Sequence, residues 1–142
     1  MIACTDPDYP PLLRDSPGAP LGLFIAGDPA LLWHPMVAVV GSRNPSAAGR
    51  EHATAFSRAF ARAGFGIASG LALGIDACAH AAALDADAPT VAVLGCGPDI
   101  AYPAANAALL ARIAGRGAVV SEFPPGTRPL REYFPARNRI VA

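Results

Sequence analysis

Four apolar runs of strand length constrain this chain more than any other feature. They are Val37–Val40, the FGIAS stretch ending at Ser69, Thr90–Leu94 and Ala118–Val120. None alternates apolar with polar residues, which is the pattern of strands covered on both faces. Each stops at a glycine or serine turn, and the segments between them read as helices.

The first of those segments, Ala47 to Ala63, places Ala53, Phe56, Ala59, Phe60 and Ala63 on one helical face. Arg50, Thr54, Arg58 and Arg62 form an i+4 stripe on another. Gly64 follows where a left-handed cap ends a helix. Ile75–Leu84 and Ala104–Ile113 are the second and third helices. Strand–helix alternation of this kind implies right-handed crossovers and parallel pairing. The expected fold is α/β: a Rossmann-like three-layer sandwich with a mostly parallel sheet of at least four strands, over residues 36–142. Residues 1–35 are rich in Pro, Gly and Asp and lack a clean period. They read as an extended linker, with a short strand near Leu23–Ala26 and a helical turn after Asp28.

The four strands end in GSRNPS, SGLALG, GCGPD and SEFPPG. In a parallel sheet these turns share the carboxyl edge, where open α/β sheets bind ligands. The first turn offers Arg43 beside a helix entrance, and both features favour an oxyanion. A dinucleotide is disfavoured. The first turn has Gly41 and Gly49 rather than G-x-G-x-x-G, and the second strand ends in Ser69-Gly70 rather than a carboxylate. All eleven basic residues are arginine, so no Walker lysine exists.

Formal net charge is zero, and no global basic field points to a polyanion. Locally the balance differs: Arg128, Arg131, Arg137 and Arg139 face only Glu132 within residues 128–139. The three cysteines, Cys4, Cys78 and Cys96, have neither disulfide nor zinc spacing, and no metal site is expected. No apolar stretch reaches the length of a membrane span, and the N-terminus lacks a signal-peptide pattern, so a cytoplasmic protein is expected. Catalysis has little support. Asp76 and His80 are an i,i+4 pair, but a helix-start Asp more often serves the cap or the dipole. Cys96 is a thiol at a strand tip, and no serine lies in G-x-S-x-G.

Taken together, VAVVGSRNPSAAG (37–49), ASGLALGIDACAHAAAL (68–84), TVAVLGCGPDIAYPAANAALLARI (90–113) and SEFPPGTRPLREYFPARNRIVA (121–142) resemble the bacterial DNA-processing protein A family, also called Smf. The resemblance covers nearly the whole chain. It implies an extended Rossmann fold that binds single-stranded DNA, protects incoming strands during natural transformation and loads the RecA recombinase. It implies no enzyme activity and no cofactor, and leaves a homodimer open. Carried over by position, Gly41, Ser42 and Arg43 match the family's phosphate pocket. Ser69 and Gly70 match its second turn, and Ser121 and Glu122 its S-E turn. Phe134, Arg137, Asn138 and Arg139 match its F-P-x-R-N-R segment. Asn106 stands in the YP-containing stretch, where Ala104 and Ala105 replace the basic residue found in many members. That thins the groove unless Arg128 or Arg131 compensates. Family members continue with further strands, so the domain is expected to be incomplete after Ala142.

Single-stranded DNA needs a cationic track and flat faces for bases. Arg43, Arg137 and Arg139 are candidates for the track, and Tyr102, Tyr133 and Phe134 for the faces. Three phosphate contacts correspond to a log–log salt slope of roughly −2. If a helix begins at Pro135, Arg137 and Arg139 point about 200° apart. One is then expected to reach DNA and the other to tie down Glu122 or Glu132. The alternatives are a small-nucleotide enzyme like the nucleotide-monophosphate phosphoribohydrolases, whose P-G-G-x-G-T turn is only approached by PPGTRPLRE, and a structural fragment that binds nothing strongly.

Overall fold

The computed structural model describes residues 1–142. In chain order the elements are β1 (Ile2–Ala3), α1 (Pro11–Arg14), β2 (Gly22–Gly27), a 3-10 turn (Pro29–Trp33), β3 (Met36–Ala38), α2 (Ala47–Arg62), β4 (Gly66–Ser69), α3 (Ile75–Asp85), β5 (Thr90–Leu94), a 3-10 turn (Ala104–Asn106), α4 (Ala107–Arg116), β6 (Ala118–Ser121) and α5 (Tyr133–Val141). No helix is long and apolar enough to cross a membrane.

The sheet runs β1-β2-β6-β5-β4-β3. All four strands expected from the apolar runs are present, and β3 through β6 pair in parallel and in sequence. The sheet is mixed rather than wholly parallel, because β2 pairs antiparallel with β6, Phe24 opposite Ser121, and β1 antiparallel with β2. Successive residues of β5 and β6 divide between two cores. Ala92, Leu94 and Val119 pack with Leu84, Leu110 and Ile113 from α3 and α4. Val91, Val93, Ala118 and Val120 pack with Tyr9, Leu23 and Val141. Both faces are therefore covered, which accounts for the unbroken apolar runs.

Two expectations need correcting. Residues 1–35 are not a linker. β2 is paired on both sides, with β1 and β6, Tyr9 and Leu23 are buried, and the Tyr9 hydroxyl donates to the Pro20 carbonyl at 2.7 Å. The strand expected near Leu23–Ala26 and the helical turn expected after Asp28 are both present, as β2 and the 3-10 turn at Pro29–Trp33. What the segment's Pro, Gly and Asp content hides is that they belong to the sheet and its core. The second correction concerns α2. Its hydroxyl cap is regular, with Ser46 Oγ accepting from the Gly49 N–H at 3.1 Å, and Gly64 adopts φ 89° at the other end. Yet Ala53 and Ser57 are its buried residues, and Phe56 is 62% exposed. α2 packs chiefly on α3, at the β3 end of the sheet, through its small residues. Phe56 stacks on Phe60 at 6.3 Å rather than entering the core.

Candidate nucleic-acid interface

The turns after β3, β4, β5 and β6 meet at one edge of the sheet, and α5 is seated across them. Two of the turn glycines show how tightly. A Cβ on Gly70 would lie 2.5 Å from the Arg137 Cζ, and one on Gly95 would lie 3.1 Å from the Phe134 ring. A third, Gly41, admits the start of α3: its Cβ would lie 2.8 Å from Ile75 Cγ1. The smallest side chain is required here by close approach.

An open, mostly apolar cavity of about 520 Å³ lies between α5 and the 3-10 turn at Pro29–Trp33. The rim itself holds a larger one, of about 810 Å³, lined among others by Arg43, Gly70, Asp76, Tyr102, Arg131 and Phe134. The rim cavity brings charge and aromatic surface together. Arg43 is exposed and takes part in none of the three ion pairs. Its guanidinium carbon stands 5.9 Å from the centre of the Phe134 ring, and that of Arg137 stands 5.9 Å from the same ring. Tyr102, 45% exposed, tilts against Phe134 with centroids 5.4 Å apart. Arg131 is exposed and lines the same cavity. Arg128 does not line it.

The structure sorts the residues singled out from the sequence into three groups. Gly41, Arg43, Gly70, Phe134, Arg137 and Asn138 line the cavity. Ser42 is exposed at its lip, where Oγ accepts from the Asn44 N–H at 3.1 Å. Ser69, Asn106 and Ser121 stand behind the wall. Ser69 and Ser121 have no exposed surface; Ser69 Oγ donates to the Val39 carbonyl at 2.6 Å, and Ser121 Oγ to that of Cys96 at 2.6 Å. Asn106 is buried and donates to the Leu71 carbonyl at 2.9 Å. These three shape the turns and offer no surface for direct contact. Glu122 and Arg139 form the third group, away from the cavity. Arg139 Nη1 and Nη2 donate to the Glu122 carboxylate at 2.9 and 2.5 Å, and Nε donates to the Gly18 carbonyl at 2.6 Å. The hydrogen bond to Glu122 raises the Arg139 pKa.

Arg137 and Arg139 thus diverge as their helical spacing requires, and Arg139 takes the glutamate. Arg137, however, is only 5% exposed. Its Nη1 donates to the Gly70 carbonyl at 2.6 Å and to the Val93 carbonyl. Burial pushes its pKa down, nearby Asp76 pushes it up, and nearby Arg43 pushes it down. A trough made of three converging guanidinium groups is therefore not what the fold builds. Arg43 and Arg131 are open, Arg137 forms part of the floor, and Arg139 lies elsewhere.

Acid–base and thiol chemistry find no support. Asp76 Oδ2 accepts from the Gly70 and Ala72 N–H groups at 3.1 and 3.4 Å rather than meeting His80. His80 is fully buried against Thr90 Oγ1 at 2.7 Å, and burial with the nearby Arg137 charge pushes its pKa down to about 3. Burial likewise raises the Cys96 thiol.

The family model for DNA recombination-mediator protein A matches residues 1–142. Protein Smf of Synechocystis is 44% identical over 96% of the chain, which spans 35% of that protein. DNA processing protein DprA of Streptococcus pneumoniae is 44% identical over 96% of the chain, which spans 48% of it. The solved structure of the pneumococcal protein superposes with a TM-score of 0.94 at 43% identity, covering 99% of this chain and 49% of that one. DNA processing protein A of Helicobacter pylori, solved in a study of its single-stranded DNA binding mode, gives 0.82 at 32% identity, covering 99% and 61%. The chain spans about a third to a half of the length of these curated relatives. Fold, matched motifs and relatives agree that the chain belongs to the DNA recombination-mediator protein A (DprA/Smf) family.

Proposed function

We propose that the rim cavity binds single-stranded DNA and that the chain serves recombination by protecting incoming strands and passing them to RecA during natural transformation. One observation carries the binding half. An unpaired, exposed guanidinium lies over an aromatic face, with a second exposed aromatic ring beside it and a second exposed arginine on the same cavity. Phosphates need the cations, and unstacked bases need the rings. A duplex keeps its bases stacked and presents them poorly to such a surface, so single strands are favoured. The Helicobacter pylori relative supports the choice of ligand. The handover to RecA rests on family membership alone.

The phosphoribohydrolase alternative needs a glutamate facing the nucleotide. Glu122 is held by Arg139, Glu132 is not part of the cavity wall, and the Asp76 carboxylate holds two backbone amides. With Arg43 and Arg131 as the open cations, the salt slope should be about −1.4 rather than roughly −2. Titration of labelled single- and double-stranded oligonucleotides at several salt concentrations tests this reading. Preference for the single strand, weakened in Arg43→Ala, supports it. Equal affinity for both forms, or release of base from nucleoside monophosphates, counts against it.

A further inference from the structure

The turn from Ser69 to Gly74 leaves β4 and enters α3, and side chains from three separate places hold its backbone. The Gly70 N–H and Ala72 N–H both donate to Asp76 Oδ2 on α3. The Gly70 carbonyl accepts from Arg137 on α5 at 2.6 Å, and the Leu71 carbonyl accepts from Asn106, just before α4, at 2.9 Å. Leu71 itself has φ 58°, an unusual state for a leucine, and its side chain is fully buried. A backbone in that region persists only where its surroundings over-determine it.

Gly70 sits between opposite charges. Its N–H faces a carboxylate and its carbonyl faces a guanidinium, and both charged side chains are 5% exposed. Arg137 also donates to the Val93 carbonyl, so it ties the end of β4 to that of β5. Its guanidinium lies on the Phe134 ring as well, with Arg43 the same distance from that ring's centre. Removing Arg137 would therefore disturb the floor of the cavity, the aromatic plane and the neighbour of the open cation.

We infer that Arg137, together with Asp76 and Asn106, is a positioning residue that fixes the Ser69–Gly74 turn and the Phe134 ring beneath the ligand, and does not itself neutralise a phosphate. The inference rests on the proposed binding of single-stranded DNA and deepens it. Of the cations matched to the family pocket, Arg43 is left as the one that meets the polyanion.

Salt dependence separates the two roles, because only a cation that replaces a counterion changes the slope. The experiment measures single-stranded oligonucleotide affinity of the 142-residue chain at several salt concentrations. Arg137→Gln, Arg137→Lys, Gly70→Ala and Arg43→Ala are compared with wild type, each corrected for its folded fraction by circular dichroism. Arg137→Gln and Arg137→Lys should each lose about tenfold or more in affinity with the wild-type slope. Gly70→Ala changes no charge and pushes a methyl group into the guanidinium, so it should behave the same way and covers the case in which the Arg137 variants fail to fold. Arg43→Ala should shrink the slope by about 0.7. A slope reduced by a similar amount in Arg137→Gln overturns the inference. So does wild-type affinity in folded Arg137→Lys or Gly70→Ala, which would leave only a structural role. Wild-type chain that binds no oligonucleotide overturns the functional reading and this role with it, whereas a failure of positioning alone shows itself in a wild type that binds.

Discussion

The turn after β3 and the helix α5 bring arginines to the same edge of the sheet and use them in opposite ways. Arg43 stands in solvent on a short turn whose own polar groups are satisfied locally, by Ser42 Oγ at the Asn44 N–H and by the Ser42 carbonyl at the Ile75 N–H, 3.1 Å in each case. Nothing in the protein requires its charge. Arg137 and Arg139 are held by backbone carbonyls and a carboxylate. Like charges at one edge of the sheet are thus divided between a group open to the cavity and groups that hold the scaffold. A guanidinium over an aromatic face needs a rigid ring beneath it, and the buried arginine supplies part of that rigidity.

The comparison breaks first at Arg137. Arg137→Ala would remove the guanidinium that donates to the Gly70 and Val93 carbonyls, a loss of about 1–3 kcal/mol for each buried group left unsatisfied. Urea denaturation should show this directly, while Arg43→Ala should stay within about 0.5 kcal/mol of wild type, as surface substitutions do. Equal stabilities for the two variants would erase the contrast.

A pH profile sharpens it. His80, beside the buried Arg137, is held neutral with its pKa lowered from 6.5 to about 3. Between those values the unfolded chain binds a proton that the folded chain does not. The stabilising contribution is therefore complete above about pH 6.5 and is lost as pH falls towards 3, at roughly 1 kcal/mol per unit. His80→Gln should flatten this part of the stability profile by about one proton. An unchanged slope would mean that the floor around Arg137 admits water or charge.

The smallest effect belongs to Glu122. Its ion pair with Arg139 is partly exposed, with side chains 18% and 30% accessible, so Glu122→Gln should cost no more than about 1 kcal/mol. The salt slope for oligonucleotide binding should not move, because this pair lies away from the cavity. A changed slope would place Arg139 on the ligand's path.

Much of this fold was legible in the sequence, and the illegible parts have a common cause. β3, β4, β5 and β6 announced themselves because both faces of the sheet are covered and each strand is apolar throughout. Gly41 and Gly70 were legible as turn residues, since the strands end beside them. Arg43 was legible because its setting is local: a strand end, a turn and a capped helix. Arg137 was not, because the carbonyls it holds lie 67 and 44 residues away and no local pattern marks a carbonyl as an acceptor. Tyr9 escaped for the same reason: it is buried by pieces of chain distant in sequence, and the strand near Leu23–Ala26 was legible while its place in the core was not. The aromatic face of α2 was misleading, since periodicity identifies an apolar stripe but not how much sheet lies beneath it.

The division between an open arginine and two engaged ones is tested most directly by the salt dependence of single-stranded oligonucleotide binding in wild type and Arg43→Ala. The expected log–log slopes are about −1.4 for wild type and about −0.7 for the variant. A variant slope equal to that of wild type would show that Arg43 meets no phosphate, and would contradict the assignment of the rim cavity.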